Sequence, residues 1–396
     1  MKKRIVLNVT TSADWRRRPV GIVRVEREII KAVRARFDSS VVPVYFDRYE
    51  SRFKSIKSKF FADIVSDAWV LSDDPDNDAG NVRGQLCRFN AQDNDTFVTV
   101  GSDWSFRVPD AVEKLYGPKR VMVSALYDLI PLIYPEFTPT REFYDQFDYH
   151  YRKLAIQAKS IFAISETSAE TLREFWRERQ LIDVPQINVI PLASFVRTDA
   201  DEPLTESDKK DLASMHNGEP YILYVSTIEP RKNHQILIDI WRDLHAERGP
   251  NCPKLIMVGM KGWGSDDLVR SATRMNAFAA GKIIFKEGLS DRLLKELYRR
   301  CFFSVFPSYF EGWGLAATEA ASFGKVCVVA NNSALNEATN GVMPSYHPLD
   351  FPGWKVEIDR LLDDRSYRET LETKIASQNF SRNWRDFGRD FCETML

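Results

Sequence analysis

The hydrophobic and polar positions of this chain alternate between two rhythms. A short apolar run, RIVLNV (4–9), precedes GIVRVEREIIKAVRARF (21–37), where Ile22, Val25, Ile29, Ile30 and Val33 recur at helical spacing. VVPVYF (41–46) reads as a second strand, so the chain opens as an α/β unit. DTFVTV, RVMVSAL, SIFAIS and INVIPL continue as strands, with FYDQFDYHYRKLAIQAKS and ETSAETLREFW as helices among them. Residues 50–95 are otherwise charged and irregular. Within them SDDPDNDAGN (72–81) reads as a turn-rich solvated loop, although its D-x-D spacings also suit a metal site.

A polar stretch, TDADEPLTESDKKDLASMHNGE (198–219), reads as a linker, and a second series follows it. YILYVST, KLIMVGM, KIIFKEG, FSVFPS and KVCVVAN are its strands. NHQILIDIWRDLHAE, DDLVRSATRMNAFAA and SDRLLKELYRRC are its helices, the last with a Ser-Asp start. The tail from residue 363 reads as helical throughout. Two such series predict an α/β protein with two Rossmann-like β/α/β domains facing a cleft, over residues 1–197 and 198–378. Ligands are expected outside the C-terminal ends of the strands.

Composition narrows the function. A chain of 396 residues exceeds one ordinary core, which agrees with two domains. With 55 basic and 56 acidic residues the net charge is -1, which gives no support for nucleic-acid binding. The five cysteines, Cys87, Cys252, Cys301, Cys327 and Cys392, form no C-x-x-C pair, as expected of reduced thiols in the cytoplasm. The N-terminal MKKRIVLNVT is too short in apolar residues for a signal sequence, and no apolar stretch approaches membrane-spanning length. His150, His216, His234, His245 and His347 show no metal-ligand spacing, so no metal is expected.

The candidate chemistry sits in FPSYFEGWGLAATEAASFGK (306–325). Gly312 and Gly314 permit a tight turn, and a helix from Leu315 to about Phe323, stopped by Gly324, offers free N–H groups to a phosphate. Glu319, just over one turn in, would repel a phosphate but can accept two hydrogen bonds from a ribose diol. Glu311 is placed to accept from sugar hydroxyls. The same stretch also reads as a helix with a glycine entry and one exposed glutamate. Arg231 and Lys232, directly after the strand YILYVST and fixed by Pro230, suit a diphosphate or a plain basic surface pair, with Asn233 as a helix N-cap. Trp15, Trp104, Tyr127, Tyr134, Trp263 and Trp313 are candidates either for a sugar-binding surface or for core packing. Arg16, Arg17 and Arg18 suit a solvated loop, or contact with an anionic membrane or a lipid-diphosphate acceptor.

Glu311-GWGLAAT-Glu319 and Pro230-Arg231-Lys232-Asn233 resemble the E-x7-E and P-R-K-N segments of the retaining GT-B glycosyltransferases, specifically glycosyltransferase family four. The stretch from FKEGLSDRLLKELYRRC to NNSALNEATNG is similar to that family's C-terminal core. The resemblance implies a GT-B fold whose C-terminal helix, residues 379–396, crosses back to the N-terminal, acceptor-binding domain. It implies that Glu319 holds the donor ribose, Glu311 the donor sugar hydroxyls, and Arg231 and Lys232 the leaving diphosphate. Gly314, Leu315 and Ala316 would cap phosphate and sugar with backbone groups, and Gly288, Leu289 and Ser290 would lie near the base. Gly21 matches the glycine near the donor phosphate, and Asp128 in SALYDLIPL the aspartate of an H-D-x-x-P segment, with Tyr127 where many members have histidine. Ser165 and Glu166 match a cleft-facing segment and equally read as a helix start.

The function so implied is metal-independent transfer of a hexose, with retention, from a nucleotide-diphosphate sugar to a glycan or lipid-linked acceptor in bacterial surface polysaccharide assembly. The enzyme would be cytoplasmic or peripheral at the inner face of the membrane. GIVRVE and YDLIPL look most like mannosyl- or other hexosyltransferases, and GDP-mannose is the first donor to consider. The alternatives are a GT-B nucleotide-sugar 2-epimerase, which should lack E-x7-E, and a non-catalytic scaffold, which would not need the four charged residues intact.

Overall fold

The computed structural model describes residues 4–16, 19, 21–66, 82–194 and 203–395. The SDDPDNDAGN loop and Arg17 and Arg18 of the basic run lie outside the described residues. The chain divides into two compact units, Met1–Pro191 with Trp384–Leu396, and Leu192–Asn383.

The first unit holds eight strands: β1 (Arg4–Asn8), β2 (Val41–Asp47), β3 (Arg52–Ile56), β4 (Leu86–Arg88), β5 (Asp95–Thr99), β6 (Met122–Leu126), β7 (Ala158–Ala163) and β8 (Gln186–Val189). Their order is β4-β3-β2-β1-β5-β6-β7-β8. β2, β1, β5, β6, β7 and β8 pair in parallel, while β3 and β4 extend the edge antiparallel. This edge, with the helix Ser58–Val65, replaces the irregular segment expected there. Its strands are short, and only Phe53 and Ile56 of β3 are buried, which leaves too little alternation to read.

The second unit holds β9 (Tyr221–Val225), β10 (Lys254–Val258), β11 (Ile283–Lys286), β12 (Ser304–Phe306), β13 (Cys327–Ala330) and β14 (Ser345–Tyr346). All pair in parallel in the order β11-β10-β9-β12-β13-β14. The expected linker is in part a helix, Glu206–His216, closed by a capping box between Thr205 and Asp208, with Leu212 and Met215 in the core. The tail is not one helical stretch either. Helices Phe351–Asp363 and Arg365–Ala376 are followed by residues 377–383 outside any helix, then by the helix Trp384–Met395. That last helix belongs to the first unit, where it lies against the helix Gly21–Phe37, and Phe387 and Phe391 meet Phe162 of β7.

The sheet orders fix where ligands can enter. Strand order reverses between β1 and β5 in one unit and between β9 and β12 in the other, and a crevice opens at the carboxyl ends of such strands. In the first unit that place is packed with polar side chains. Asn8 at the end of β1 donates to Thr99 Oγ1 at 2.9 Å and to Asp103 Oδ1 at 3.2 Å. Ser12 donates to Oε2 of the fully buried Glu26, whose Oε1 has no hydrogen-bond partner among the described residues. Burial raises the Glu26 carboxyl to about 8, with the nearby Asp103 adding to it and the Ser12 hydrogen bond opposing it. Burial likewise raises Asp103 to about 7 against hydrogen bonds from Thr99 and Asn8.

Two consequences can be measured. A Cβ on Gly388 would stand 2.5 Å from Ala32 Cβ, so Gly388→Leu should push the C-terminal helix off its seat. Overpacking of this kind costs about 1–3 kcal/mol, read as a lower denaturant midpoint; an unchanged midpoint would contradict that seat. Glu26 and Asp103 hold protons in the folded chain where the unfolded chain has released them. The stability this contributes is complete below the ordinary carboxylate range and is lost as pH rises through about 7 and about 8. The melting temperature should therefore fall across that interval, and Glu26→Gln, which mimics the protonated form, should flatten the fall.

Candidate functional site

The second unit's reversal point is flanked by two loops, one after β9 and one after β12. After β9, residues Pro230–Lys232 form a short 3₁₀ turn, and the helix His234–Arg248 follows. After β12 the chain reaches Glu311 and then the helix Leu315–Ser322. Gly314 makes the bend at φ +101°, and a Cβ there would lie 2.3 Å from Leu335 Cδ2, so only glycine fits.

The two loops hold each other by charge. Arg231 Nη1 donates to Glu311 Oε1 at 2.9 Å and Lys232 Nζ donates to the same oxygen at 2.5 Å. Ser308 Oγ is a third donor to it. Arg231 also binds Glu229 through Nη2 at 2.8 Å and the Phe310 carbonyl through Nη1 at 2.6 Å. All four charged side chains are nearly buried, and two cations against two carboxylates leave no net charge. Burial alone would raise the Glu311 carboxyl, yet Arg231, Lys232 and the hydrogen bonds from Lys232 and Ser308 outweigh it and hold the group below its usual range. Lys232 is lowered by burial and by Arg231, opposed by Glu311 and Glu229.

Backbone contacts tie the loops further. Tyr309 N–H donates to the Arg231 carbonyl at 2.9 Å, and Tyr224 Oη donates to the Lys232 carbonyl at 2.5 Å. Asn233 takes the N-cap position in the left-handed region, but its side chain makes no cap bond. It donates instead to the carbonyls of Pro307 at 3.2 Å and Pro348 at 2.8 Å, because two loop carbonyls reach it where no helical N–H does.

Glu319 is 8% exposed and accepts from Tyr298 Oη at 3.2 Å, which sets aside the reading of an exposed surface glutamate. Tyr298, in the helix Asp291–Arg300, stacks on Phe323 at 5.6 Å. At the start of the helix Leu315–Ser322, the N–H groups of Leu315 and Ala316 carry no hydrogen bond among the described residues. Trp313 is buried in the same bend and its indole N–H has no acceptor there.

The other candidates have local partners of their own. Gly288 has φ +71° in the loop after β11, and Leu289 is half-buried against the core. Ser290 caps the helix Asp291–Arg300 by accepting from Leu293 N–H at 3.2 Å, and donates to Asp208 at 2.8 Å. In the first unit Gly21 begins the helix Gly21–Phe37 at φ +49°, with open space where a Cβ would stand. Asp128 is half-buried and accepts from Ile130 N–H at 3.0 Å. Tyr127 is a core residue whose hydroxyl donates to the Val100 carbonyl at 2.5 Å. Ser165 caps the helix Glu166–Glu178 and Glu166 pairs with Arg173 on the surface, so both serve the helix start. Trp15, Trp104, Tyr134 and Trp263 are half-buried.

Sequence reasoning missed Glu229, Ser308, Tyr224 and Tyr298, the partners that orient the charged residues. Only Glu229 carried a local signal, lying beside Pro230 in the same loop. Among the described residues, no three His, Cys, Asp or Glu side chains group as a metal site, and no helix is long and apolar enough to cross a membrane.

Comparison with known proteins bears on this geometry. Residues 206–374 match the family described as "Glycosyl transferases group 1". The chain is 28% identical over 278 residues to the serotype-specific mannosyltransferase WbdA of Escherichia coli, covering 66% of this chain and 32% of that protein. It is 32% identical over 167 residues to the Escherichia coli O-antigen chain mannosyltransferase B, covering 41% of this chain and 42% of the relative. The chain thus spans about a third of WbdA. Among solved structures, HepE of Anabaena in complex with UDP and glucose superposes with a TM-score of 0.65 at 16% identity, covering 99% of both chains. An Escherichia coli trehalose-6-phosphate protein bound to UDP-2-fluoro glucose gives a TM-score of 0.65 at 13% identity, over 99% of this chain and 98% of the other. The chain has the GT-B fold of its solved neighbours, and its residues 206–374 match the glycosyl transferases group 1 family.

Proposed function

We propose that this chain is a retaining glycosyltransferase of family four, moving a hexose from a nucleotide-diphosphate sugar to a glycan or lipid-linked acceptor in surface polysaccharide assembly. The observation that carries the reading is the convergence of Arg231 and Lys232 on Glu311 beside the unbonded N–H groups of Leu315 and Ala316. Cations and helix-start amides together suit a diphosphate. Mannose is the favoured sugar and GDP-mannose the favoured donor, since the Escherichia coli relatives are named mannosyltransferases. The complex of HepE with UDP and glucose keeps UDP sugars in the test.

In this reading Glu319, held by Tyr298, accepts from both ribose hydroxyls. Gly288, Leu289 and Ser290 lie toward the base, and the backbone at Gly314, Leu315 and Ala316 caps the phosphate and sugar. Glu311 exchanges part of its bonding to Arg231 and Lys232 for the sugar hydroxyls as the diphosphate takes up the two cations. The bond from the anomeric carbon to the phosphate oxygen breaks while charge grows on that oxygen, and Arg231 and Lys232 stabilise it there. The acceptor hydroxyl adds on the same face and passes its proton to the departing phosphate. Gly21 and Asp128 of the first unit belong to the same proposal as residues whose substitution should lower transfer. No step uses a metal ion, so a chelator should leave the rate unchanged. Location at the inner face of a membrane belongs to the same proposal.

A panel of GDP-, UDP- and ADP-sugars tests it, with transfer to a mannose-terminated acceptor followed by NMR of the new anomeric centre. One donor should be used, with retention. Lys232→Met should lower kcat about 10²- to 10³-fold, the scale of losing one charge-stabilising donor, and Glu319→Ala should act mainly through donor KM. Inversion at the anomeric centre, or donor binding untouched by Glu319→Ala, would overturn the assignment.

A further inference from the structure

A pocket of about 790 Å³ lies wholly within the first unit, at the carboxyl ends of β2 and β5. It is formed by the turn after β2, the 3₁₀ turn Asp103–Phe106, the helix Val108–Tyr116 and the helix Arg141–Gln157. Its volume is that of a small-ligand site. Neither the diphosphate cluster nor Gly21 and Asp128 line it.

Its lining is aromatic and charge-balanced. Phe46, Trp104, Phe106 and Tyr149 supply rings. The guanidinium of Arg48 covers Phe106 at 4.3 Å from its centroid and that of Arg107 covers Tyr149 at 4.9 Å. Among the described residues no cation stands over Trp104, and His150 meets it edge-on at 6.4 Å. Trp104 is half-buried against Phe147, and its indole N–H makes no hydrogen bond among the described residues. The cations Arg48, Arg107 and Lys114 are matched by Asp110, Glu142 and Asp145, with Gln146 among them. An anion site would show an excess of cations, and an apolar site would not carry this many ionic and amide groups. Donors and acceptors in balance around one available ring face suit a neutral polyhydroxyl ligand, whose C–H face covers the ring while its hydroxyls bond on both sides. Arg107, at the mouth, is held at φ +49°, a strained conformation for a side chain of that size.

We propose that this pocket binds a neutral oligosaccharide, with Trp104 under a sugar ring and Gln146 among the hydroxyl partners. That the saccharide is part of the acceptor glycan rests on the glycosyltransferase reading; the binding itself does not.

Calorimetric titration of the full chain with mannotriose, and with trigalacturonate as an anionic match, tests it. Mannotriose should bind in preference to trigalacturonate. Trp104→Ala should weaken mannotriose binding about tenfold, as loss of a ring contact does. Among the described residues Gln146 bonds only Glu142, at 3.4 Å, so Gln146→Ala removes little packing and should weaken binding in a chain that melts as wild type does. Glu319→Ala should leave mannotriose binding intact. A wild-type chain that binds mannotriose but none of the GDP-, UDP- or ADP-sugars would sink the glycosyltransferase reading and leave the pocket standing. No binding of mannotriose, tighter binding of trigalacturonate, or binding indifferent to both pocket variants would each overturn the proposal.

Discussion

Glu311 takes three donors on one carboxylate oxygen, from Arg231, Lys232 and Ser308, and the geometry of the second unit's functional loops hangs on that convergence. The loops belong to β9 and β12, 79 residues apart at the Lys232–Glu311 contact. Neither would hold a buried charge alone, because an unpaired ion in a dry site costs several kcal/mol. Together they are neutral. A buried ion pair adds little net stability, but it fixes where its members stand, and here it fixes two cations at the end of the sheet. Asn233 and Tyr224 pin the backbone around them, so the cations are placed before any ligand arrives.

The two units place different electrostatics at the same topological position. Where strand order reverses in the second, the groups are ionised and paired. Where it reverses in the first, Glu26 and Asp103 are buried, and burial outweighs the Ser12 hydrogen bond and the neighbouring Arg27 at Glu26 and the hydrogen bonds of Thr99 and Asn8 at Asp103, so both carboxyls are pushed up toward neutrality. The first arrangement suits a charged ligand that exchanges for a resident carboxylate. The second suits a rigid, uncharged scaffold for the loops that follow β1 and β5.

The strands of both central sheets were legible because parallel strands covered on both faces read as near-continuous apolar runs. The stretches that hold Arg231, Lys232, Glu311 and Glu319 stand out in the sequence as a candidate site because their spacing combines glycine, proline and charge in a way no plain helix needs. What escaped depends on distance along the chain. β3 and β4 sit at an edge with few buried residues, and the helix Glu206–His216 is polar on most of its surface. Asn233 looked like a cap because its neighbours do not reveal the carbonyls of Pro307 and Pro348. Tyr298 is 21 residues from Glu319, and Glu26 falls in a helical pattern that gives no hint of Ser12 above it. In the sequence Trp104 reads equally as a sugar-facing ring or a core ring, and the charged residues around it come together only in the fold.

Calorimetry with free nucleoside diphosphate and with the matching nucleotide sugar, on wild type and Glu311→Gln, asks whether Glu311 is the resident anion that a donor displaces. Removing its charge frees Arg231 and Lys232 for phosphate but deprives the sugar of an acceptor. The diphosphate should bind the variant more tightly than wild type, while the nucleotide sugar gains less or loses affinity. If the variant keeps its fold and binds the diphosphate no better, the cation–Glu311 cluster is not the diphosphate site.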